Sequence, residues 1–162
     1  MPDPAMALNA MTLAAQILAT SALRKNGSVR GIVYSSGRPL VSDWMYDEEL
    51  ARRFLLNYAG GGTDYPFDLL RAFSEERPDA IRIVISDSDF LWNVRQAGAM
   101  EKLTYGIEHS RLLVAFLAAP DADARKALEP VLRYPKLRLA VVKRLDDFGG
   151  AAADLADAVL AK

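Results

Sequence analysis

The chain has 162 residues and a formal charge of −1, enough for one domain with a substantial core. It has no cysteine and a single histidine, His109, which excludes disulfides, thiol catalysis, cysteine-ligated zinc and histidine-rich metal sites. Scattered basic residues argue against nucleic-acid binding; no run spans a membrane and no basic leader precedes an apolar stretch, so a cytoplasmic protein is expected.

Asp3 and Pro4 open a helix that Met6, Leu8, Met11, Ala15, Ile17, Leu18 and Leu23 continue with few polar interruptions. Such a helix should be buried on most sides. Lys25-Asn26-Gly27 stops it with a basic turn and a glycine. A strand is expected over Val29–Ser35, a turn at Ser36-Gly37-Arg38-Pro39, and a short antiparallel edge strand over Leu40–Met45. Asp47–Tyr58 reads as a helix with Leu50, Phe54, Leu55 and Tyr58 on one side.

Gly60, Gly61 and Gly62 then lead through Thr63, Asp64, Tyr65 and Pro66 into the periodic run Phe67, Leu69, Leu70 and Phe73. Thr63 or Asp64 suits the N-cap and Pro66 the first turn. Ile81–Asp87 reads as a buried strand ending on a carboxylate. Ligands of open α/β sheets collect at the carboxyl ends of strands, so Thr63 and Asp87 could face one another there. Such an oxygen-only pair suits a hard divalent cation.

Leu91–Ile107 contains a helical stretch, and Arg111–Leu117 is an apolar strand. Asp121 or Asp123 caps a helix through Leu132, with Pro130 near its end, and Leu137–Val142 is the last strand. Asp146 and Asp147 lead through Phe148-Gly149-Gly150 into a final helix, Ala151–Leu160. Strands without strict alternation, separated by helices, mean a mostly parallel sheet covered on both faces.

The order of these pieces resembles a von Willebrand factor type A domain over nearly the whole chain. The resemblance rests on the apolar first helix, Val29-Arg30-Gly31-Ile32-Val33-Tyr34-Ser35-Ser36 at the family's second strand, Gly61-Gly62-Thr63 at its threonine motif, and Ile83-Val84-Ile85-Ser86-Asp87 at its later strand. It implies a single Rossmann-like α/β/α three-layer sandwich with one antiparallel edge strand. It also implies a protein-recognition module rather than an enzyme, binding a partner's acidic side chain through a magnesium-holding adhesion site. Thr63 would supply a hydroxyl and Asp87 a carboxylate; the partner would be an AAA-type ATPase or its client.

The chain departs from the family in two places. Ser88 and Asp89 come after Asp87 where glycine is usual, and the first motif, Asp-x-Ser-x-Ser, is missing with its strand. Ser35 and Ser36 do not replace it, because they sit where the second strand ends. The domain is therefore expected to be incomplete at its N-terminus, with in-frame codons upstream encoding the missing strand. A stranded gap of this kind leaves unpaired backbone groups unless the neighbouring strands close up or another chain donates a strand. With Thr63 and Asp87 alone, magnesium binding is expected to be weak or absent.

Simpler readings stand beside these. Thr63 is an N-cap, a ligand or both; Asp87 is a ligand or a loop cap, and Asp89 a turn residue. Trp92 reads as a packed loop residue rather than an exposed contact, His109 as a solvated loop residue, and Asp146 and Asp147 as caps. The alternative function is a magnesium-dependent phosphatase of the haloacid-dehalogenase type, with Asp87 as nucleophile and Asp89 as acid and base. Phe90 and Leu91 break that family's pattern.

Overall fold

The structure is a computed structural model that describes residues 4–35, 37–57 and 64–160. In chain order its elements are α1 (Pro4–Arg24), β1 (Ile32–Val33), β2 (Leu40–Val41), α2 (Glu48–Leu55), α3 (Phe67–Glu76), β3 (Ile81–Asp87), α4 (Asp89–Asn93), α5 (Ala99–Glu108), β4 (Leu112–Ala118), α6 (Asp121–Ala127), β5 (Leu137–Val142) and α7 (Phe148–Val159). They form two compact units, Met1–Gly62 with Arg144–Lys162, and Thr63–Lys143.

In the first unit α1 packs against α2 and α7. Ala14, Leu18 and Ala19 are buried, but Leu13 is 49% exposed, so this apolar helix is covered less fully than its composition suggests. Its stop is made by Asn26, which takes the left-handed conformation (φ 63°). The Gly27 N–H donates to Ala22 O at 2.9 Å and the Asn26 N–H to Leu23 O at 3.1 Å, the paired bonds of a Schellman ending. The expected hairpin is present: Ile32 pairs with Val41 and Val33 with Leu40, antiparallel, with a further bridge from Val29 to Met45. Asp47 caps α2, its carboxylate accepting the Leu50 N–H at 2.9 Å.

The last helix starts earlier than expected. Leu145–Asp147 form a 3₁₀ turn, Asp147 takes the N-cap position without a side-chain bond, and Gly149 and Gly150 lie inside α7 rather than before it. Phe148, wholly buried, fixes that start.

In the second unit β3, β4 and β5 form a parallel sheet in sequence order, with Asp87 beside Ala118 and Ala118 beside Val142 at its carboxyl edge. Strands are found at all five expected places, but not in the single sheet expected: among the described residues β1 and β2 pair only with each other, and the parallel sheet holds β3, β4 and β5 alone. The result is a mixed α/β chain whose parallel sheet is flanked by helices. Leu113, Ala115 and Leu117 of β4 join a core with Leu70, Phe90, Leu103 and Ile107. Val114 and Phe116, on the opposite face of β4, are buried as well.

Three helix boundaries differ from expectation. Pro66 occupies the N-cap position of α3 itself, with no side-chain bond, so Asp64 does not take that position, and Thr63 lies outside the described residues. Pro66 has φ −84° and ψ 79°, which is not helical backbone, so the first helical residue is Phe67. The stretch from Leu91 to Ile107 is broken in two, with Gly98 at φ 79° ahead of α5. The sixth helix ends at Ala127, and Pro130 falls in a separate 3₁₀ turn, Glu129–Val131. Helices α3 and α5 pack closely at Gly106, where an added Cβ would come within 2.8 Å of Leu70.

The amino edge of the sheet is held by Arg82. Its half-buried guanidinium donates to Phe73 O at 2.7 Å, His109 O at 3.0 Å, Ser110 Oγ at 2.9 Å and to Arg77 O. It thus ties together the C-terminal ends of α3 and α5, adding a bond to Phe73 O and Arg77 O, which already accept the Arg77 and Ala80 N–H groups, and bonding His109 O at the end of α5. Burial lowers its pKa, with Tyr65 and Asp79 opposing that effect and Arg77 adding to it.

Candidate functional site

Alternation along β3 puts Arg82, Val84 and Ser86 on one face and Asp87 on the other. Asp87 is the last residue of the strand, and its Oδ1 accepts the Asp89 N–H at 2.9 Å. That bond turns the chain directly from β3 into α4, so Asp87 does cap its own loop. Burial is the main influence on its carboxyl group and raises the pKa above the ordinary 3.8. The Asp89 N–H pulls it down and the Asp89 carboxylate pushes it up. Among the described residues no cation lies within ion-pair distance of either carboxylate, whereas Asp68 is paired with Lys102 at 2.6 Å and Asp121 with Arg125 at 2.9 Å.

Thr63 and Gly60–Gly62 lie outside the described residues. The chain just beyond them is well anchored. The Tyr65 N–H donates to Asn93 Oδ1 at 2.9 Å, and Asn93 is buried. The Tyr65 ring meets Phe67 and Phe90 edge-on, with centroids 4.8 and 5.2 Å away. The segment leaving Thr63 is therefore tied to the helix that leaves Asp87. Asn93 is a site residue that the sequence reading missed; a lone amide inside Phe90-Leu91-Trp92-Asn93-Val94 was the available signal.

Trp92 overturns its expectation. It is 69% exposed on α4, with the Arg95 guanidinium 5.6 Å from its ring centroid. Helix α4 buries Phe90, Leu91 and Asn93, which sends the indole outward. His109 is not a loop residue in solvent: it caps α5, stacks on Tyr105 with centroids 3.9 Å apart, and its Nδ1 lies 2.9 Å from Tyr105 O. Asp89, expected as a turn residue, is the first residue of α4, and the turn falls at Ser88.

A magnesium ion needs several converging oxygens. The described residues offer it one half-buried carboxylate and an exposed neighbour, Asp89; no cluster of three acidic or histidine ligands occurs among them. This donor set does not make a tight site by itself. Among the described residues, no helix is long and apolar enough to cross a membrane. Comparison with protein-family models, with curated proteins and with solved structures finds no match.

Proposed function

We propose that the chain is a protein-recognition module of the von Willebrand factor type A kind, an α/β/α sandwich that does no chemistry and meets its partner at the carboxyl edge of β3. The observation that carries this reading is Asp87: a half-buried carboxylate at the end of a parallel strand, without a cation among the described residues. Keeping a carboxylate there costs stability, and perturbed groups of this kind concentrate at functional sites. The buried residues on both faces of β4 support two covering layers. The exposed Trp92 and its stacked Arg95 add the residue types that dominate protein interfaces.

In this reading Thr63 and Asp87 are a remnant of the adhesion site, and an acidic group of the partner reaches them across a weakly held magnesium ion. The partner is another protein, either an AAA-type ATPase or a client of one, and the setting is the cytoplasm.

A photo-crosslinking amino acid placed at Trp92, with a second placed at exposed Asp79 on the opposite edge, tests the reading in cells. Adducts at position 92 that disappear on Asp87→Asn, with none at position 79, are expected. Magnesium-dependent phosphatase turnover that Asp87→Asn abolishes would instead establish the haloacid-dehalogenase alternative.

A further inference from the structure

We draw no further inference here: the strongest candidate, the exposed indole of Trp92 stacked with Arg95 on the outward side of α4, belongs to the site already described, and nothing in the structure shows what covers it.

Discussion

Arg82 and Asp87 stand five residues apart on one strand, and the two ends of the sheet treat their charges in opposite ways. At the amino edge the guanidinium is saturated by carbonyls from two helices. At the carboxyl edge the carboxylate accepts one backbone N–H and faces no cation among the described residues. Burial disfavours both charged forms. Only Arg82 is compensated by the fold. The difference separates a charge kept for architecture from one that the architecture does not need.

Removing each group should therefore have opposite effects. Arg82→Met removes the bonds to Phe73 O, Arg77 O, His109 O and Ser110 Oγ together and should destabilise the protein by about 2–4 kcal/mol, read from chemical denaturation. Loss of less than about 0.5 kcal/mol, the range of an ordinary surface change, would dissolve the contrast. Asn93→Ala strips the Tyr65 N–H of its partner and should cost about 1–2 kcal/mol; faster hydrogen exchange at the Tyr65 amide is the accompanying sign.

Asp87→Asn should act the other way. The amide keeps an acceptor for the Asp89 N–H and removes the buried charge, giving a gain of less than about 1 kcal/mol near neutrality after solvent screening. Smallest of all, Trp92→Ala should change stability by no more than about 0.5 kcal/mol while weakening partner capture. Calorimetric titration with magnesium should show no binding at submillimolar concentrations; tight binding would mean that other ligands, Asp64 or Asp89 first, have been overlooked.

How much the sequence disclosed depends on the range of the forces involved. Ile81–Asp87 and Leu137–Val142 were readable to the residue because continuous apolar runs bounded by polar residues leave few alternatives. The hairpin was legible from Gly37 and Pro39 between two apolar segments, though its ladder is shorter than the runs. Boundaries set by local backbone chemistry were harder. Pro66 was compatible with the first turn and with the cap, and the structure uses it as the cap. Gly98 sits inside an apparently continuous helical pattern and interrupts it through its positive φ.

The site was legible only where a single residue carries the signal. Asp87 stands at the end of an unmistakable strand, so its place at the sheet edge could be read directly. Trp92 could not be placed, because its exposure depends on which side of a five-residue helix the core claims. Asn93 acquires its role from a backbone N–H 28 residues away, a tertiary pairing that composition does not encode. His109 likewise finds its stacking partner, Tyr105, only once the helix between them is formed.

The most direct test is the stability of wild type and Asp87→Asn measured by denaturation across pH 3 to 8. The folded pKa of Asp87 is raised, so its protonated form is the one the fold favours. Wild-type stability from this group is full below the ordinary 3.8 and is lost as pH rises through the folded value. The two proteins should therefore be equally stable at the acid end, with the variant pulling ahead above that window and holding a constant lead at neutrality. A variant that is less stable than wild type at neutral pH would contradict the claim, because it would show that the fold itself depends on the Asp87 charge.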